Sequence, residues 1–120
     1  MTFYWSHYID VATFLLEHIN EVNEEAALRS AISRAYYAAF CHAKYYAKDN
    51  FGFEPEDSAE DHGALRDYFR SQGMVEIGRM LGQLRQWRNS CDYGNPSYEA
   101  TPLIAKSAIR QAENVIKKLD

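Results

Sequence analysis

The sequence predicts an all-α protein, a bundle of five helices. Three observations carry that expectation. Apolar residues recur at three- and four-residue spacing in five separate stretches. No stretch alternates apolar and polar residues as a half-buried strand would, and there are no repeats. The strongest breakers fall at the junctions: Gly52 with Pro55, Gly73, and Gly94 with Asn95 and Pro96. At 120 residues the chain is expected to form one domain, 1–120.

Each element has its own justification. The first helix is expected from Phe3 to Asn20, with Ile9, Val11, Phe14, Leu15, His18 and Ile19 as its apolar stripe, extended by Trp5 and Tyr8. His7 and His18 have no partner histidine in register and read as surface or internally satisfied residues. Residues 20–25 are a polar break, and Asn23 suits an N-cap with acids just after it. The second helix is expected from Glu24 to Asp49. Leu28, Ala31, Ile32, Ala35, Ala39 and Ala43 give it a narrow stripe of small residues, along which a neighbouring helix can approach closely. Tyr36, Tyr37, Phe40, Tyr45 and Tyr46 cover its other sides, so it belongs at the centre of the bundle. Arg29 and Arg34 are then half-buried, bonding neighbouring helices or lining a groove.

The acidic segment NFGFEPEDS, residues 50–58, is expected to be the most mobile loop, with Phe51 and Phe53 tucked back. A third helix follows from Ser58 to Ser71, with Ala64, Leu65, Tyr68 and Phe69 facing inward. His62 falls on or near that packed side and reads as a histidine bonding another helix. Gly73 ends the segment. The fourth helix occupies Met74 to Gly94, with Ile77, Leu81, Leu84 and Cys91 as its stripe. The fifth runs from Pro102 to Leu119. Thr101 is its N-cap, Pro102 its first turn, and Ile104, Ala105, Ala108, Ile109, Ala112, Val115, Ile116 and Leu119 its apolar face.

Composition excludes several classes. With 47% hydrophobic and 25% charged residues the chain is an ordinary globular protein, not a disordered one. A net charge of −4 argues against general nucleic-acid binding, so any such contact needs a local basic patch. The two cysteines, Cys41 and Cys91, sit among apolar residues and read as buried free thiols. No HExxH, Cys/His cluster, Gly-rich phosphate loop or GxSxG elbow occurs, so neither a metal site nor a cofactor is expected. The N-terminus lacks a basic signal region and no apolar run approaches a membrane span. The expected location is the cytoplasm.

The chemistry concentrates in the fourth helix. Arg88 occupies the missing step of its stripe, four after Leu84 and three before Cys91. Between Ile77 and Cys91 stand Arg79, Arg85 and Arg88 and no acid. Arginine's planar fork matches phosphate oxygens, and a neighbouring tyrosine can stack a base. Asn89, Asp92 and Tyr93 lie beside Arg88. The same residues also describe a structural Arg88–Asp92 ion pair at a helix junction, and physics alone leans slightly that way.

The second helix, LRSAISRAYYAAFCHAKYYA from Leu28 to Ala47, resembles the signature helix of the HEPN family. Three further segments share the resemblance: His62-Gly63-Ala64-Leu65 with Tyr68-Phe69, Leu81-x-x-Leu84-Arg85-x-x-Arg88-Asn89-x-x-Asp92-Tyr93-Gly94, and Trp5-x-x-Tyr8-Ile9-x-x-Ala12. It implies a five-helix bundle around an up-down four-helix core, commonly a homodimer. It also implies a toxin-like role beside a small nucleotidyltransferase (MNT) antitoxin and metal-independent action on RNA. The family's ribonuclease motif is an arginine, a polar residue, three more residues and a histidine, and two copies meet across the dimer interface. Arg88-Asn89 matches its first half; the histidine position is Tyr93, as in a branch of the family ending this helix in Asp-Tyr.

The site expected from the resemblance is therefore Arg88, Asn89, Asp92 and Tyr93, with Arg85, Arg34 and Arg29 as RNA or phosphate contacts. A phenol, with an ordinary pKa of about 10, is a poor base near neutrality, which leaves Asp92 as the candidate base. Two readings stay open. One is an RNA-cleaving or RNA-binding toxin; the other is a non-catalytic module that binds a nucleotidyltransferase or a nucleotide. A tyrosine at the groove would also be a target for nucleotide transfer by such a partner.

Overall fold

The computed structural model describes residues 2–94 and 96–120; Asn95, one of the expected helix stops, lies outside them. The chain forms five α-helices: α1 (His7–Glu17), α2 (Glu24–Phe51), α3 (Glu60–Ser71), α4 (Val75–Tyr93) and α5 (Pro102–Lys118), with a short 3-10 turn, Ile19–Glu21, between α1 and α2. No strand occurs among the described residues. Helices α1, α2, α4 and α5 close a four-helix core, and α3 lies across α4.

Local chemistry sets the helix ends. The Asn23 side chain accepts a hydrogen bond from the Ala26 N–H at 2.9 Å and starts α2. Thr101 accepts from the Ile104 N–H at 3.1 Å and starts α5, with Pro102 in its first turn. α2 runs past the expected Asp49 to Phe51. It stops at Gly52, whose φ of 78° is a left-handed conformation that glycine reaches without steric cost.

The small-residue stripe of α2 is buried throughout, together with Tyr36 and Phe40. Leu65 and Phe69 of α3 and Ile77, Leu81, Leu84 and Cys91 of α4 meet the same core. Phe53 is buried and Phe51 packs against the core, as expected. The loop before α3 is tied down at one point: the buried Asp61 carboxylate accepts from the Glu56 and Asp57 N–H groups, both at 2.9 Å. α3 approaches α4 over Gly78, where a Cβ would sit 3.0 Å from the Arg66 carbonyl oxygen.

Some expected inward faces are corrected. In α1, Val11 and Phe14 are exposed, and the fully buried residue is Ala12. The packed line runs through Ile9, Ala12, Leu15, Leu16 and Ile19, which is an equally good helical stripe. Small alanine marks the closest approach to the core, whereas Phe14 turns outward and stacks on His18 with ring centroids 4.0 Å apart. Ala64 of α3 and Arg34 of α2 are likewise exposed. No described helix is long and apolar enough to cross a membrane.

Candidate functional site

Arg88 lies at the gap in the α4 stripe and is only 3% exposed. Its guanidinium carbon is 5.1 Å from the ring centroid of Tyr36, 5.3 Å from that of Tyr37 and 5.4 Å from that of Tyr93. Three aromatic faces thus hold the cation where water cannot. Its polar contacts are long. Nη1 donates to the Tyr93 hydroxyl at 3.4 Å and stands 3.8 Å from Asp92 Oδ2. Nε is buried with no hydrogen-bond partner among the described residues. A guanidinium carries five donors, so this one is under-satisfied. The expected Arg88–Asp92 pair is present as a loose contact, and Asp92 also accepts from Ser33 Oγ at 3.1 Å.

Arg88 forms part of the wall of a cleft of about 760 Å³, lined also by Tyr37, His62, Arg85, Asn89 and Tyr93. Among the described residues no carboxylate lines it. The Nε of Arg85, like that of Arg88, is buried without a hydrogen-bond partner among the described residues. Arg85 and Asn89 continue into an adjoining hollow bordered by Arg66. The cleft is therefore a cationic, partly desolvated concavity, and the two arginines in its wall each have an Nε without a hydrogen-bond partner among the described residues.

α3 closes one side through His62. Its ring stacks on Phe40 at 4.3 Å, and Nδ1 shares a hydrogen bond with the Tyr36 hydroxyl. Burial, and then the charges of Arg85, Arg88 and Arg66, push the His62 pKa down to about 4. Burial raises the Tyr36 phenol above its ordinary range. Both groups are neutral at pH 7.

Of the residues expected at the site, Arg85, Arg88, Asn89 and Tyr93 line the cleft together. Asp92 stands at its edge, tied to Ser33. Arg29 is elsewhere: it donates to Glu25 Oε2 at 2.7 Å, to the Cys91 carbonyl at 3.3 Å and to the Tyr98 carbonyl at 2.5 Å. It clasps α2 to the segment before α5. Arg34 lies over the Tyr8 ring at 5.3 Å, also away from the cleft. Sequence reasoning put the tyrosine-rich second helix beside the fourth at the cleft but named none of His62, Tyr36 and Tyr37 as a site residue. The usable signal was His62 on the inward side of α3 and the four-residue spacing of Tyr36 and Phe40 on α2. Both cysteines are free, as expected, Cys91 buried and Cys41 half-buried. Among the described residues no group of three or more His, Cys, Asp or Glu could hold a metal ion.

These features define a small helical domain with an arginine-lined cleft. The HEPN domain family matches residues 5–120, and the chain belongs to that family. A search of curated proteins gives no match.

Proposed function

We propose that this HEPN domain acts on RNA through the Arg88 cleft, as the toxin-like half of a module whose other half is a small nucleotidyltransferase. In this reading two copies pair in the cytoplasm and present their clefts to one RNA strand. One observation supports it above the others: Arg88 is 3% exposed, yet its Nε lacks a hydrogen-bond partner among the described residues and its ion pair is loose. A buried cation held that way suits an anion that arrives from outside.

The chemistry is metal-independent phosphodiester cleavage. A base takes the 2′-hydroxyl proton and an acid protonates the leaving oxygen. Arg88 and Arg85 stabilise the charge that builds on phosphorus, Asn89 supplies a neutral donor, and Asp92 is the group on α4 that can move a proton. Tyr93, 76% exposed, offers a ring on which a base can stack. Arg29 and Arg34 lie outside the cleft, so in this reading their phosphate contacts fall on more distant parts of the strand.

The second reading, a non-catalytic module, draws on one specific contact. Asp92 accepts from Ser33 and stands 3.8 Å from Arg88, so the carboxylate is already engaged by groups of the fold at the edge of the cleft rather than free to meet a substrate hydroxyl. A metal-free cleavage assay on total RNA and tRNA separates the two. Cleavage by the wild type that is lost in Arg88→Ala and Asp92→Asn, with circular dichroism unchanged, supports the ribonuclease. RNA binding without cleavage keeps the RNA reading as a binding one, and neither binding nor cleavage overturns it and favours the module that binds a nucleotidyltransferase or a nucleotide.

A further inference from the structure

α3 contributes one titratable ring to the cleft, His62, and its protonation pattern follows from its neighbours. Its Nδ1 is engaged by the Tyr36 hydroxyl. The charged groups acting on that hydroxyl are Arg88, Arg85 and Arg66, and arginines donate hydrogen bonds but cannot accept them. Positive charges around the phenol favour the orientation in which its oxygen faces the cations and its proton faces Nδ1. A neutral imidazole whose Nδ1 accepts carries its hydrogen on Nε2, on the opposite edge of the ring.

We infer that His62 is the third arm of an anion grip it forms with Arg85 and Arg88, donating Nε2–H to a phosphate oxygen while Tyr36 holds it in that tautomer. The inference rests on the reading of the cleft as a phosphate site and deepens it. A neutral donor fits the surroundings. Arg85 and Arg88 face His62 from α4 and Tyr36 and Phe40 from α2, while Arg66 and Asp61 flank it on its own helix. A further positive charge there would be repelled by three arginines, whereas an N–H dipole adds a hydrogen bond without that cost. One consequence bears on mechanism: Nε2 has no free lone pair at neutral pH, so His62 does not replace the absent motif histidine as general base. It positions and stabilises the phosphate instead. The shared chemistry is a phosphate group, from an RNA backbone or from a free nucleotide.

The test uses the full chain. Nitrogen-15 NMR of the imidazoles at pH 7 is expected to show neutral His62 with hydrogen on Nε2, and Tyr36→Phe is expected to lose that tautomer preference. Binding is then measured with inorganic phosphate, AMP and a short single-stranded RNA. His62→Ala is expected to weaken binding about tenfold, the scale of one hydrogen bond to a charged group. His62→Gln, whose amide places an N–H near the Nε2 position, is expected to recover most of it and covers the case in which His62→Ala does not fold. A loss confined to the RNA arm identifies the backbone as the source; a loss shared with AMP identifies the phosphate group from either source. A His62 that carries its hydrogen on Nδ1 overturns the inference. So does His62→Ala binding like wild type while Arg88→Ala has lost binding, which leaves the phosphate reading standing. A wild type that binds none of the three probes overturns both.

Discussion

Arg88 explains most of the site's physics. Burying a cation costs desolvation, and long contacts to Asp92 and Tyr93 offset only part of it. The three tyrosine rings offset a further part. Arg88→Met keeps the side-chain bulk and removes the buried charge. It is expected to melt at or above the wild-type temperature while losing RNA binding at least about tenfold; calorimetry and a binding isotherm check the two halves. A fall of several degrees with binding intact would instead assign Arg88 to structure. His62 makes a separate prediction. Its folded pKa, about 4, lies below the ordinary value of 6.5. Between those values the unfolded chain binds more protons than the folded one, so stability falls as pH drops through that window. Melting temperatures from about pH 7 to about pH 5 should fall in the wild type and fall less in His62→Gln.

The α3–α4 contact places His62 over the cleft, and two glycines of α4 face it differently. A Cβ on Gly82 would meet the flexible Arg66 side chain at 3.4 Å. A Cβ on Gly78 would meet the Arg66 backbone carbonyl at 3.0 Å and Arg70 Cγ at 3.2 Å. Alanine in a helix interior is ordinarily favoured over glycine by about 1 kcal/mol. Gly82→Ala should keep that gain and melt about 4 °C higher. Gly78→Ala should forfeit it, because a carbonyl within a helix cannot swing aside, and melt no higher than wild type. Paired thermal scans decide the point, and a rise in both would show that α3 is free to shift.

The assembled protein concentrates charge that its composition hides. A chain of net charge −4 presents a cleft lined by Arg85 and Arg88 with no carboxylate among its described lining residues. Phosphate binding there should therefore weaken with salt although the protein as a whole is acidic. If two copies share the cleft, light scattering should give twice the 13.9 kDa chain mass, and Arg88→Met should leave that mass unchanged. A strictly monomeric protein that still binds RNA would remove the shared-cleft geometry.

The five helices were readable because helical periodicity and capping are local properties. Asn23, Thr101 and Pro102 start helices as their chemistry requires, and the core stripes of α2, α4 and α5 are those the spacing marks. Arg88 was also readable, because a charge in an apolar stripe stands out along the chain. What a helix turns toward its neighbours was not local. Two stripes fit α1 equally well, and only packing decided that Ala12 goes in and Phe14 stays out. Arg29 and Arg85 look alike in sequence. One spends its donors on carbonyls and a carboxylate of the fold, while the other keeps Nε free of a hydrogen-bond partner among the described residues at the cleft. The Tyr36–His62 hydrogen bond joins residues 26 apart, and no spacing rule relates them. Local sequence settles which segments become helices; which side chains meet across them follows from how the helices pack, and the candidate site is built from those meetings.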